Sequence, residues 1–359
     1  MIDIRTVTLR QLVEIGYEER ASDVCVKSGA RPTMRKFSVF QPISDEFPVV
    51  DADNARRMIQ EVMSEKQIKK FEDTLEMDLA FEVEGKCRIR ANIYFQRGTY
   101  AIVMRIIPLR ILTIEELGLP PVLRELCKHR LGLILFTGPT GSGKSTSLAA
   151  MIDVINESRP CHIVTIEDPL EFVHQDKMAY ISQREVHIDT MEFQPALRAV
   201  VREAPDVILV GEMRDQETMH TAMQAGETGH LVFSTVHTSS AYETMDRIIN
   251  MFPPHEKPFL CQRLAGSLRG IVAQKLVPRA DGNGRVVANE ILICTPTVTK
   301  LIEDGHFSDL YHAMNEGAFW GMQTMNQSLV RYVKAGIITE ETALAYAGIT
   351  SELKQMLRR

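Results

Sequence analysis

Between residues 77 and 95 apolar side chains alternate with polar ones: Met77, Leu79, Phe81 and Val83, then Ile89, Ala91, Ile93 and Phe95. A period of two belongs to a strand with one covered face. Glu84-Gly85-Lys86 between the halves supplies a turn, so the stretch predicts an antiparallel hairpin. YAIVMRIIP predicts a third strand ending at Pro108. Upstream the period lengthens, with Ala55, Met58, Ile59, Val62 and Met63 at helical spacing behind the candidate caps Asp51 and Asp53. Mixed periods of this kind predict a small α+β domain over residues 1–108.

Beyond residue 123 the pattern changes. LGLILFTG, HIVTIED, DVILVGE and LVFSTVH are short runs apolar at consecutive positions, separated by helical segments. Strands apolar on both faces suit a parallel sheet covered by helices on both sides. Residues 124–359 are therefore expected to form an α/β nucleotide-binding domain. From about 258 the reading is mainly helical, with Met325, Leu329, Tyr332 and Val333 on one face of a helix stopped near Gly336. Residues 109–123, within PLRILTIEELGLPPVL, combine prolines, glycine and a short acidic turn and read as a linker.

Composition narrows the partners. The 359 residues carry 41 basic and 47 acidic groups, a net charge of -6, with 25% charged and 45% hydrophobic residues. That balance suggests no polyanion-binding surface, and nucleic acid is not an expected partner. None of Cys25, Cys87, Cys127, Cys161, Cys261 and Cys294 stands in a C-x-x-C pair, which argues against a zinc knuckle or a disulfide framework and suits reduced thiols in the cytoplasm. The acidic, discontinuous start does not read as a signal peptide, and no apolar run approaches the ~18 residues of a spanning helix. Direct membrane insertion is not expected, and any membrane role would run through a partner.

Candidate chemistry is concentrated at the ends of the apolar runs. GPTGSGKS, followed by Thr146, is a full G-x-x-x-x-G-K-S phosphate-binding loop, set after the strand LGLILFT and before a helix with Leu148, Met151, Ile152 and Ile155 on its buried face. Gly138, Pro139, Thr140, Gly141, Ser142, Gly143, Lys144, Ser145 and Thr146 are the expected ATP-binding residues. Glycine-freed N–H groups and a helix N-terminus would face the phosphates, Lys144 would neutralise the β and γ phosphates, and Ser145 would ligate Mg2+. TIEDPLEF places three carboxylates after the next run. VILVGEMRD ends its strand on Glu212 where an Asp is more usual, an acid placed to reach the metal directly or through a water. Hydrolysis needs a metal holder and a group for the attacking water, and two acidic strand ends offer both. In GETGHLVFSTVHT, His230 and His237 bracket the following strand as candidate γ-phosphate sensors.

GPTGSGKS, TIEDPLEF, ILVGEMRD and GHLVFSTVHT, in this order, resemble the Walker A loop, aspartate box, Glu-type Walker B and histidine box of the secretion and type IV pilus motor ATPases, in particular the pilus retraction ATPases of the PilT and PilU type. ASDVCVKSGARP and GMQTMNQSL extend the resemblance to both ends of the chain. It implies a PAS-like N-terminal domain joined to a RecA-like P-loop ATPase domain with a helical C-terminal part. It also implies a homohexamer of Mg2+-dependent ATPase subunits that drives pilus retraction and twitching motility. The ring would lie in the cytoplasm, peripheral at the inner-membrane base of the pilus, with a platform protein and a paralogous motor ATPase as partners. By position, Glu171 is the water-activating residue, Glu212 the acid near magnesium, and His230 and His237 the histidine box. The family also inserts arginines into a neighbouring subunit's site, with Arg90, Arg97 and Arg105 in the corresponding strands.

Two features depart from that pattern. Retraction ATPases often carry A-I-R-N-L-I-R-E where this chain reads TVTKLIED, with Thr299 and Glu303 in place of arginines, and Cys25 replaces a usual His. Two alternatives stand beside the retraction reading: a pilus assembly or type II secretion ATPase of the PilB or GspE type, and a weakly active paralogue that modulates a partner motor. The absence of C-x-x-C pairs disfavours the former, which usually carries a four-cysteine zinc element.

Overall fold

The computed structural model describes residues 3–36 and 39–358. It divides into two units, Met1–Arg110 and Ile111–Arg359.

In the first unit, helix starts follow cap chemistry. The Thr8 and Ser64 hydroxyls each accept the N–H three residues on, and their own backbone N–H groups donate to the Gln side chain at that position, which sets off helices Leu9–Glu18 and Glu65–Thr74. Asp51, not Asp53, caps the helix Ala52–Gln60 by accepting from the Asn54 N–H at 2.7 Å. The strands are β1 (Asp23–Lys27), β2 (Thr33–Lys36), β3 (Val39–Pro42), β4 (Glu76–Val83), β5 (Cys87–Gln96) and β6 (Thr99–Pro108). They form one antiparallel sheet in the order β3-β2-β1-β6-β5-β4. Val83 lies opposite Cys87 across the Glu84-Gly85-Lys86 turn, the register the alternating pattern predicts. Phe71, Met58, Ile59, Ile89, Ile93 and Met104 are wholly buried where the helices cover the sheet.

The second unit contains β7 (Gly132–Thr137), β8 (His162–Glu167), β9 (Tyr180–Glu185), β10 (Val207–Val210), β11 (Leu231–Val236), β12 (Leu268–Pro278) and β13 (Arg285–Ile293). Their order is β13-β12-β7-β11-β10-β8-β9, with β13 alone antiparallel. Successive residues of one strand feed opposite cores. Leu133, Leu135, Ile208 and Val210 join one cluster, while Ile134, Phe136, Val207 and Leu209 join the other. This is why the runs are apolar at every position.

Two expectations are refined. The region beyond 258 is mostly helical, but after the helix Lys257–Ser267 it also holds the long strands β12 and β13, which a purely helical reading leaves out. Gln274, Asn289 and Glu290 are buried inside those strands and interrupt the apolar pattern by which strands are recognised. The segment read as a linker is tied to the second unit, where Ile114, Leu119 and Leu123 are buried. The final helices pack on the β12–β13 ribbon through Met325, Leu329 and Val330, and the helix Met325–Lys334 is followed by Gly336 with φ +68°.

Candidate functional site

Parallel strands deliver their carboxyl ends to one edge of the sheet, and the loops leaving that edge form the site. The phosphate loop leaves β7 and runs into the helix Lys144–Ser158. Gly138, Gly141 and Gly143 have φ of +145°, +77° and +86°, values that side chains strain to adopt. A Cβ on Gly138 would also lie 2.4 Å from the Gln274 carbonyl oxygen. Pro139, Thr140 and Gly141 form the exposed rim, Ser142 and Lys144 are buried, and Ser145 and Thr146 are half-buried.

Lys144 folds back over this loop. Its Nζ donates to the Gly138 carbonyl at 2.8 Å and the Pro139 carbonyl at 3.1 Å. Burial lowers its pKa below the ordinary value, and the charges of Glu212 and Glu171 act in the opposite sense. Both acids are therefore within electrostatic reach of the ammonium. Among the described residues, no carboxylate lies within ion-pair distance of it. A desolvated ammonium with only neutral acceptors is the group that a polyphosphate would complement.

Glu212 follows β10 through Gly211 and is largely buried. Arg214 Nη2 lies 2.7 Å from Oε2, and His237 Nε2 lies 3.2 Å from Oε1. Burial works to raise the Glu212 pKa, but the Arg214 hydrogen bond and the charges of His237 and Arg214 prevail and hold it below the ordinary value. Glu212 is thus a firmly ionised carboxylate at the strand end. Thr137 at the end of β7 donates to the Thr238 carbonyl at 2.6 Å, tying the phosphate strand to the one that carries His237.

The aspartate box holds two different acids. Glu171 is exposed, beyond the end of β8. Glu167 is half-buried against Gln183, and burial pushes its carboxyl up to about 7 against the hydrogen bonds it accepts. For a divalent ion, the Ser145 hydroxyl, in the first turn of the helix after β7, and the Glu212 carboxylate, after β10, are hard oxygen donors at the same edge of the sheet, with β11 between their strands. A phosphate-bound magnesium needs few protein ligands, so this donor set fits it. Among the described residues no cluster of three His, Cys, Asp or Glu is poised for a metal.

The histidine box divides. Residues that bracket a strand must sit at its opposite ends, and His230 precedes β11 while His237 follows it. At ~3.3 Å per residue, the seven steps place His230 about 23 Å from His237. The His230 Nδ1 lies 3.0 Å from the Ala225 carbonyl, and the His230 carbonyl accepts from Gly132 at the start of β7. His230 does not join Lys144 and Glu212 in this site, which corrects its reading as a sensor of the same subunit's phosphates.

Of the candidate arginines in the first unit, Arg90 and Arg105 face each other across β5 and β6. Arg105 Nε donates to Asp23 at 3.2 Å. Arg97 is not in a strand: it is exposed in the turn between β5 and β6 with φ +50°. Sequence reasoning missed Arg214, although it stands inside VILVGEMRD, and Gln274, whose only signal is an amide in the apolar run IVAQKLV.

The family model described as type II/IV secretion system protein matches residues 4–336. The chain is 43% identical to the Pseudomonas aeruginosa type IV pilus retraction ATPase PilT, over 95% of this chain and 98% of that protein. It is 38% identical to the type IV pilus ATPase PilU of the same organism, over 97% and 91%. A crystal structure of the pilus retraction motor PilT with bound ADP superposes with a TM-score of 0.91 at 42% identity, covering 97% of this chain and 99% of that one.

Proposed function

The chain belongs to the type II/IV secretion system protein family, among the pilus retraction ATPases, and from that premise we propose that it is a motor that couples ATP hydrolysis to type IV pilus retraction and twitching motility. One joint observation carries this reading. An intact phosphate loop, with Lys144 uncommitted to any carboxylate, stands in a chain whose likeness to the retraction ATPases runs through both units.

On this reading the second unit is a RecA-like ATPase core and the first a PAS-like domain. Lys144 and the loop N–H groups bind the phosphates of ATP. Ser145 and Glu212 would hold Mg2+, which, when bound, spreads negative charge away from the phosphoryl oxygens. Glu171 orients and deprotonates the attacking water, and His237 keeps Glu212 ionised and in place. The working form is a homohexamer in which Arg90, Arg97 and Arg105 are the candidates for reaching a neighbour's nucleotide. The ring works in the cytoplasm against a platform protein at the inner-membrane pilus base. Among the described residues no helix is long and apolar enough to cross a membrane.

Purified protein tests the chemistry. Lys144→Ala is expected to abolish ATP hydrolysis, and a rate equal to wild type overturns the reading. Glu171→Gln is expected to keep nucleotide binding and to lose turnover by about 10² or more. Deleting the gene and counting surface pili tests direction: excess, non-retracting pili support retraction, and absent pili support an assembly motor.

A second reading, in which the chain modulates a paralogous motor, is favoured by the segment TVTKLIED. There Glu303 is paired with Lys300 on its own helix at 3.2 Å, leaving no arginine pair. Wild-type turnover no higher than that of Lys144→Ala would favour it.

A further inference from the structure

Gln274 lies in the middle of β12 and is 1% exposed. Its Nε2 donates to the Ser142 carbonyl at 2.8 Å. Its Oε1 accepts from the Ser147 hydroxyl at 2.9 Å and from Asn289 Nδ2 at 3.3 Å. Ser142 belongs to the phosphate loop and Ser147 to the first turn of the following helix, so one amide spans the point where loop becomes helix. The orientation of the amide is fixed, because the Ser142 carbonyl can only accept and so must face the NH2 group. The fit is close: a Cβ on Gly143 would lie 2.9 Å from Nε2.

The contact continues away from the loop. The Asn289 carbonyl accepts from Gln323 Nε2 at 2.9 Å, and its N–H donates to the Ser328 hydroxyl at 3.3 Å. Gln323 and Ser328 both lie in GMQTMNQSL, a motif to which the phosphate site itself gives no role. Gln274, Asn289 and Ser328 are buried at or beneath the sheet, where polar groups are costly unless paired, and Asn289 Oδ1 has no partner. Aliphatic residues in these places would serve stability as well or better.

We propose that Gln274 is a positioning residue for nucleotide binding: it holds the phosphate loop in its binding shape, and GMQTMNQSL braces it from behind through Asn289. The proposal rests on the phosphate-loop reading and extends it to the strand behind.

The test measures binding of a fluorescent ADP analogue and steady-state ATP hydrolysis by the full chain, with thermal melting to confirm folding. Gln274→Met removes the amide at similar volume. It is expected to weaken nucleotide binding and raise KM by about tenfold, with kcat within about threefold and an unchanged or higher melting temperature. Gln274→Glu supplies a readout that a merely structural role would not move. Its protonated carboxyl can donate to the Ser142 carbonyl and its ionised form cannot, so its affinity relative to wild type should recover as pH falls from 8 to 6.

Gln323→Ala at the half-buried outer end of the chain of contacts is expected to weaken binding by about threefold. It carries the test if the Gln274 variants do not fold. Binding within twofold of wild type by folded Gln274→Met, a ratio for Gln274→Glu that is flat with pH, or no loss in Gln323→Ala would overturn the proposal. Wild type that binds no nucleotide would instead overturn the underlying reading, and the proposal with it.

Discussion

Glu167 makes stability depend on pH in a way that one substitution should erase. Burial beside Gln183 raises its folded carboxyl to about 7 from an ordinary 4.5. The folded state therefore holds the proton more tightly than the unfolded state. The stabilisation is fully present below the unfolded value near 4.5 and is lost as pH rises to about 7. Each decade of proton affinity is about 1.4 kcal/mol, so the full span is worth about 3 kcal/mol. Residual solvent contact trims this to about 2 kcal/mol. Glu167→Gln keeps an oxygen to accept from Gln183 and removes the charge. Other groups titrate in both proteins, so the informative quantity is the difference between variant and wild type. In thermal melts followed by circular dichroism, the variant should gain about 4–8 °C on wild type between pH 5 and pH 8 in the transition of the second unit. A difference constant to within about 1 °C would refute the burial argument.

Two further substitutions test the frame around the site. Gly143→Ala must hold φ +86° and place a methyl 2.9 Å from Gln274 Nε2. It should weaken ADP binding by about tenfold or more in the same fluorescence assay while the protein stays folded. Phe136→Ala empties a wholly buried position in β7, beneath the phosphate loop. It should cost about 3–5 kcal/mol, read as an earlier urea transition of the second unit.

Much of this molecule is legible in the sequence because local physics specifies it. The Glu84-Gly85-Lys86 hairpin appears as alternation, and β7, β8, β10 and β11 as apolar runs. The phosphate loop appears as glycines at the positions where φ is positive. What stays hidden depends on pairing between distant segments. β12 and β13 carry Gln274, Asn289 and Glu290 in their interiors, and only the fold shows that Gln274 pairs with Ser147 and the Asn289 amide and that Glu290 accepts from the Ala241 N–H. Bracketing β11 already separates His230 from His237, and the parallel pairing of β11 with β7 decides which of them shares the phosphate-loop edge. His237 falls to the edge that carries the phosphate loop and His230 to the opposite one.

Direction also bears on why an acid as long as Glu can end β10. A carboxylate that serves as a base must be free to take a proton, whereas one that holds a cation must stay ionised. Glu212 meets the second requirement, with Arg214 at 2.7 Å and His237 at 3.2 Å holding its pKa down against burial. Arg214 and His237 also occupy its two oxygens, so Glu212 serves the site chiefly as a fixed negative charge. Glu171 is exposed in the loop beyond β8, yet close enough for its charge to act on the Lys144 ammonium. We propose that the two acids divide the work on this basis, Glu212 as a fixed charge beside the phosphates and Glu171 as the residue that handles water. The division has a kinetic signature: Glu171→Gln should trap bound ATP, whereas Glu212→Gln should raise the magnesium concentration needed for turnover. If both variants showed the same magnesium dependence as wild type, the assignment of Glu212 to the metal shell would fail.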